Sequence, residues 1–271
     1  MARYDGPVID VHAHLELEMG AGMSGLMPHR VEDYWSAAGG LDVQAAAALV
    51  MAPLGQPDEV RKRNDQVLAL GARDPRWLPL CSVHPYDGDF AVEEIRRVVA
   101  AGAAGFKLHP NTQAFDLGDD RVTATVEEIG RHGVPVLFDG YSPFDPHQPG
   151  KFVQLSMAVP DARIIIAHAL GPRFGELMVY DVLAAFPGMW NRNVWVDLSY
   201  MGAVYADSPH REQYAWTLRK LGVDRVLLGS DYPLGDLHSA VEALSTLGFS
   251  AEEQRHIAYD NAAALFDLSG A

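Results

Sequence analysis

Short apolar runs rich in β-branched residues recur along the chain at Val8–Val11, Ala47–Met51, Trp77–Val83, Ala104–Leu108, Pro135–Phe138, Arg163–Ala167, Val194–Asp197 and Arg225–Leu228. Near-continuous runs of this kind fit parallel strands covered on both faces. Their starts lie 27 to 39 residues apart, close to the roughly 30 residues that a strand, a crossover helix and a return require. Between them, apolar positions at helical spacing predict helices over Pro57–Gly71, Phe90–Ala101, Arg121–His132, Lys151–Ala158, Gly175–Phe186, Arg211–Leu221 and Leu237–Leu247. In the second of these, Phe90, Val92, Ile95, Val98 and Val99 form the apolar face, and Glu93, Glu94, Arg96 and Arg97 are left for solvent. A last helix starts at Ser250, where Ser250 and Glu253 form an S-x-x-E capping pair. Strand followed by helix eight times predicts a single α/β domain, a (β/α)8 barrel, with a doubly wound open sheet as the alternative.

Composition agrees with one globular domain over residues 1–271: 48% hydrophobic, 21% charged, 25 Gly and 17 Pro exclude disordered, collagenous and coiled-coil chains. The first interval between strands is the longest. Glu16 to Trp35, with Met19, Met23 and Met27, reads as a mobile loop over the strand ends and a candidate substrate lid. A net charge of −15 argues against nucleic acid and anionic membrane as partners and leaves a small-molecule substrate. The single cysteine, Cys81, the absence of an apolar leader in the first residues and of any 18-residue apolar stretch lead to the expectation of a reduced, cytoplasmic protein.

Barrel enzymes carry their chemistry at the C-terminal ends of the strands, and here those ends are polar. His12 and His14 follow the first run, His84 the third, Lys107 and His109 close the fourth, Asp139 follows the fifth, His168 the sixth, Asp197 and Ser199 the seventh, Asp231 the eighth. Five of the eleven histidines therefore fall at strand ends. Two residues apart on an extended segment, His12 and His14 point the same way, into the barrel if Val8 and Val11 pack outward and Asp10 continues the inward row. A pair on one face can chelate a borderline divalent cation such as zinc. Each residue alone has a plainer reading. H-x-H arises by chance, Asp231 suits a turn cap in Gly-Ser-Asp-Tyr-Pro, and His168 suits a core histidine bonded to backbone. Lys107, sharing a strand face with His109, suits neutralisation of nearby carboxylates. Asp197 and Ser199 read as supporting residues, His84 and Cys81 as packing or rim. The chain has no phosphate-cradling loop, no dinucleotide glycine pattern at a strand–helix turn and no G-x-S-x-G elbow.

In this order the motifs resemble the amidohydrolase superfamily, in its amidohydrolase-related branch of hydrolases and nonoxidative decarboxylases similar to aminocarboxymuconate-semialdehyde decarboxylase. The carrying residues are Val8-Ile9-Asp10-Val11-His12-Ala13-His14, Gly105-Phe106-Lys107-Leu108-His109-Pro110, Ile164-Ile165-Ile166-Ala167-His168, Leu228-Gly229-Ser230-Asp231-Tyr232-Pro233 and a closing Asn261-Ala262-Ala263-Ala264-Leu265-Phe266. The resemblance implies a distorted TIM barrel and, suggested by it alone, a homodimer. His12 and His14 would then be metal ligands, His168 a ligand or near neighbour, and Asp231 the carboxylate that binds metal and handles protons. One position departs: the branch usually has a histidine where this chain has Asp139, a carboxylate that also coordinates hard or borderline cations.

The leading expectation is a zinc-dependent hydrolase, with manganese as the alternative ion, acting on a small amide, ester or lactone. Asp231 and His168 are its catalytic residues, His12, His14, Asp139, His168 and Asp231 its metal set, and Lys107, His109 and Tyr141 its substrate-binding residues. A metal-dependent decarboxylase of a small aromatic or unsaturated acid is the second reading. A barrel that has lost catalysis and serves as a binding protein, motivated by Asp139, is the third.

Overall fold

Strand and helix alternate through the computed structural model, which describes residues 3–15 and 31–268. The strands are β1 (Pro7–His14), β2 (Asp42–Leu49), β3 (Trp77–Cys81), β4 (Gly105–Leu108), β5 (Pro135–Phe138), β6 (Arg163–Ile166), β7 (Val194–Asp197) and β8 (Val226–Leu227). Each pairs in parallel with the next in sequence. The ring closes from the last strand to the first. Val11 N–H donates to Leu228 O at 3.0 Å, Asp231 N–H to His12 O at 2.8 Å and His14 N–H to Tyr232 O at 2.7 Å. Sequential order with closure makes this a (β/α)8 barrel and removes the doubly wound alternative, whose strand order reverses at a switch point.

Side-chain alternation on the strands divides the core in two. Ile9, Val11, Ala45, Ala47, Leu49, Leu78, Leu80, Leu137, Ile165 and Leu227 form one cluster, which fills the barrel. Their strand neighbours, among them Ala46, Ala48, Cys81, Phe106, Leu108, Phe138, Ile164 and Val196, pack outward with the helices. Those helices are α1 (Val31–Ala37), α2 (Pro57–Arg73), α3 (Asp89–Ala100), α4 (Asp120–Arg131), α5 (Gln148–Ala158), α6 (Met178–Ala184), α7 (Met201–Ala206), α8 (Arg211–Leu221), α9 (Leu237–Thr246), α10 (Ala251–Arg255) and α11 (Asn261–Leu265). Ala262, Ala263 and Leu265 of α11 join the inner cluster, and Arg163 at the start of β6 donates to Leu265 O. The N-terminal mouth of the barrel is thereby plugged, and the polar strand ends lie at the opposite mouth. Among the described residues no helix is long and apolar enough to cross a membrane.

Several expectations need correction. Gly175–Phe186 is not one helix: an irregular helical segment covers Ala167–Leu177, with Pro172 inside it and left-handed backbone at its start, and α6 follows. Helix α7 carries no sequence signal long enough to stand out. Strand β2 begins five residues early, at Asp42, because an Ala-rich run is small enough to sit inside a barrel. Residues 31–35 of the expected loop belong to α1, where Tyr34 is buried against Trp35, Trp77 and Tyr232. Residues 16–30, with the three methionines, lie outside the described residues. The inward row of β1 is also different. Its register on β2 shifts between Val8 and Ile9 and again between Asp10 and Ala13, so Ile9 and Val11 fill the barrel and Asp10 turns to Tyr34 and Ser230. The capping box at Ser250 forms as the sequence predicts.

Candidate metal centre

The second register shift in β1 delivers His12 into the cavity mouth, and Asp10 locks it. The Asp10 carboxylate accepts from the backbone N–H groups of His12 and Ser230 and from the hydroxyls of Tyr34 and Ser230. Burial pushes this carboxyl up to about 6 in spite of those four donors. Asp10 thus ties β1 to the segment that carries Asp231.

His12 Nδ1 lies 3.0 Å from Asp197 Oδ2. A carboxylate only accepts, so Nδ1 carries the hydrogen and the Nε2 lone pair faces inward. There it meets His14 Nε2 at 3.1 Å and Asp231 Oδ1 at 3.5 Å, and His14 Nε2 lies 3.3 Å from the same Asp231 oxygen. Donors bound at about 2.1 Å to a shared ion are separated by roughly 3.0 to 3.4 Å in octahedral or tetrahedral arrangements. Two imidazole nitrogens and one carboxylate oxygen at these separations fit a borderline divalent cation. Burial first, and then the Lys107 charge, lower His12 to about 4, so its ring is neutral and ready to ligate. The His12 and Asp197 side chains have no exposure and that of His14 has 19%, which grades the site from a closed floor to an open rim.

A second group, His12, His168 and Asp197, also has metal-binding proximity, but its polar atoms already satisfy one another. Ser199 Oγ lies 3.1 Å from His12 Nδ1 and 2.9 Å from His168 Nδ1 and donates to Asp197 Oδ1. Asp197 Oδ1 also accepts from the backbone N–H groups of His168 and Ser199. This network orients imidazoles.

His168 leaves the inward alternation of β6. Its φ is 59°, followed by 46° at Ala169, 64° at Leu170 and 54° at Gly171. Three consecutive non-glycine residues in the left-handed region cost about 1–2 kcal/mol each. That strain, together with the Asp197 and Ser199 bonds, swings the His168 ring into the mouth. Its Nε2 lies 3.5 Å from Asp139 Oδ1, and His109 Nε2 lies 3.7 Å from the same oxygen. Burial lowers His168, but the Asp139 bond and the Asp231 and Asp197 charges outweigh it and raise the ring to about 9. Burial likewise raises Asp139, and the His168 bond with the His109 and Lys107 charges outweighs it, to about 2. Both members of the pair move as an ion pair requires. Burial dominates at His109 and lowers it to about 4.

Lys107 is fully buried on β4, with Nζ 3.3 Å from His12 Nε2. Burial lowers its pKa against the pull of Asp139, Asp197 and Asp231. Asp231, like His168, sits in the left-handed region, at φ 59°. Gly229 leaves room below: a Cβ there would stand 3.0 Å from both His12 Cβ and Ser199 Cβ.

The structure therefore gathers His12, His14, Lys107, His109, Asp139, His168 and Asp231 at one mouth. Tyr141 lies further out, its ring base against Gly171 and its carbonyl accepting from Asn111. His84 stays apart and serves structure, with Nε2 2.6 Å from Gln113 O and Nδ1 accepting from Tyr86 N–H. Sequence reasoning missed Gly229 and the outward lock made by Asp10. A Gly two residues before Asp231 on the inward row was the signal for the first. The second depends on a bulge that no local pattern announces.

Residues 9–268 match the family model described as amidohydrolase. No curated protein matches the chain in sequence. Among solved structures, 2,6-dihydroxybenzoate decarboxylase from Rhizobium aligns with a TM-score of 0.73 at 16% identity, covering 97% of this chain and 99% of the other. A dihydroxybenzoic acid decarboxylase from Polaromonas sp. JS666, with bound manganese and 2-nitroresorcinol, aligns with a TM-score of 0.72 at 16% identity, over 98% and 97%. A protein assigned as 2-pyrone-4,6-dicarboxylic acid hydrolase, from Pseudomonas putida, aligns with a TM-score of 0.67 at 20% identity, over 97% and 98%.

Proposed function

Because this chain belongs to the amidohydrolase family, whose model it matches over residues 9–268, we propose that it is a metal-dependent hydrolase of a small-molecule amide, ester or lactone. The observation that carries this reading is the convergence of His12 Nε2, His14 Nε2 and Asp231 Oδ1 within 3.1 to 3.5 Å. Those three residues hold the ion, zinc by donor chemistry and manganese as the alternative, with His168 and Asp139 beside them. When bound, such an ion polarises a carbonyl and lowers the pKa of water toward about 7.

The chain's own groups do the rest. Asp231 Oδ1 faces the histidines, which leaves Oδ2 to accept a proton from water and return it to the leaving group. The His168 ring, held at Nδ1 by Ser199 while Asp197 anchors its backbone N–H, stabilises the oxygen that gains charge. His109 and Lys107 hold an anionic part of the substrate, and Tyr141 lines its outer end. The net charge of −15 supports a small molecule over nucleic acid or an anionic membrane as the partner. The whole chain acts as one catalytic barrel domain, in the cytoplasm.

The test is a panel of amides, esters and lactones turned over by metal-loaded protein beside Asp231→Asn. Loss of about a thousandfold or more in the variant supports the assignment of Asp231, and equal turnover overturns it. A second reading, nonoxidative decarboxylation of a small aromatic acid, is supported by the backbone likeness to two decarboxylases. There Asp231 or His168 protonates the carbon that loses carbon dioxide. Gas release from hydroxybenzoate-type acids without turnover of the hydrolase panel would favour it.

A further inference from the structure

Resting on the metal-site reading above, the geometry points to Lys107 as a built-in competitor for the metal, moving between His12 and Asp139. His12 Nδ1 donates to Asp197, so the Nε2 lone pair is the acceptor that Lys107 Nζ reaches at 3.3 Å. It is the same lone pair that faces His14 and Asp231. One lone pair does not serve an ammonium hydrogen and a divalent cation together, and two cations this close repel.

Lys107 is fully buried. Its displaced ammonium needs an acceptor inside the barrel. Asp197 is engaged with His12, His168 and Ser199, and Asp231 is itself a ligand in that reading, so an ammonium on it would still lie against the ion. Asp139 follows the neighbouring strand β5, which pairs with the strand of Lys107, and its N–H donates to Leu108 O, the residue after Lys107. Its Oδ1 faces His168 and His109, and among the described residues its buried Oδ2 has no hydrogen-bond partner. The four-carbon lysine stem is long and flexible enough to exchange one acceptor for the other. Lys107 on His12 keeps the site intact without metal, and Lys107 on Asp139 opens the lone pair for it.

The experiment is a double-mutant cycle on metal affinity, measured by competition with a chromogenic chelator for zinc, using Lys107→Met, Asp139→Asn and the double variant. Lys107→Met should bind zinc at least about tenfold more tightly than the parent, because a buried competing charge is gone. Asp139→Asn should weaken binding at least about fivefold in the parent and by less than about twofold in the Lys107→Met background, because its effect acts through Lys107. Lys107→Gln, which keeps a polar end, serves if the Met variant does not fold and should also bind more tightly. The absorption spectrum of cobalt-loaded Asp139→Asn should match the parent, since Asp139 here receives the lysine.

Weaker binding in both Lys107 variants would overturn the proposal and place Lys107 on the ligand side of the site. An equal cost of Asp139→Asn in both backgrounds would overturn the exchange and make Asp139 a direct ligand. Absence of zinc binding by the parent and every variant would overturn the metal site itself, which separates failure of the function from failure of this proposal.

Discussion

Asp197 Oδ2 accepts the Nδ1 hydrogen of His12 at 3.0 Å, deep in the barrel and 185 residues away in sequence. That one bond decides which nitrogen of His12 is free, and so which way the site faces. It links the seventh strand to the first through the floor of the cavity.

Asp197→Asn should reverse the tautomer. Oδ1 of residue 197 receives two backbone N–H groups, from His168 and Ser199, so the Asn oxygen is held there and its amide faces His12 Nδ1. The ring must then accept at Nδ1 and carry its hydrogen on Nε2, where the metal lone pair is needed. Metal affinity should fall by about 10- to 100-fold, the usual effect of losing such an orienting partner. Chelator competition on parent and variant checks this, and an unchanged affinity would show that His12 Nε2 is not a ligand.

Without metal, stability should peak near pH 6.5. His12 and His109 titrate near 4 in the folded protein against an ordinary 6.5 unfolded. Between those values the unfolded chain binds more protons, so stability falls as pH drops from 6.5 toward 4. Each histidine contributes up to about tenfold per pH unit in the folding constant, and Asp10, raised to about 6, offsets one of the two below that pH. His168, raised to about 9 by its carboxylate neighbours, has the opposite sign. Its contribution is complete below 6.5 and is lost as pH rises through 9. Urea unfolding of chelator-treated protein at pH 5, 6.5 and 8.5 checks both limbs, and a profile that keeps rising to pH 8.5 would contradict the His168–Asp139 pairing.

Gly229→Ala should disturb the centre through packing alone. Its Cβ would press His12 and Ser199 at 3.0 Å, a cost of about 1–3 kcal/mol for overpacking a buried site. Gly150, exposed in α5 with open space at its Cβ position, is the control; Gly150→Ala should be neutral or stabilise by about 0.5–1 kcal/mol. Thermal unfolding of the two variants separates them, and equal melting temperatures would mean that the floor below His12 yields freely.

Much of this architecture is legible in the sequence because the physics is local. Ile164, Ile165 and Ile166 make a strand covered on both faces wherever they fall, and a polar residue just after such a run lands at the mouth of a parallel barrel. That rule puts His12, His109, Asp139 and Asp231 at the mouth, and Lys107 enters as the one charge inside an apolar run. His168 was found by position although its backbone breaks the alternation, since the turn at Ala169 and Leu170 is imposed by tertiary contacts and leaves no glycine before Gly171 to announce it. Asp10 was misplaced because a register shift flips every following side chain. Neither the division of labour between Asp197 and Ser199 nor the pairing of Asp139 with two histidines can be read without distances.

The central claim, that His12 and His14 hold a divalent ion, is tested most directly by elemental mass spectrometry on protein purified without chelator, beside the His12→Ala/His14→Ala double variant. The account predicts about one zinc or manganese per chain in the parent and almost none in the variant. No metal in the parent after reconstitution, or equal metal in both, would contradict it.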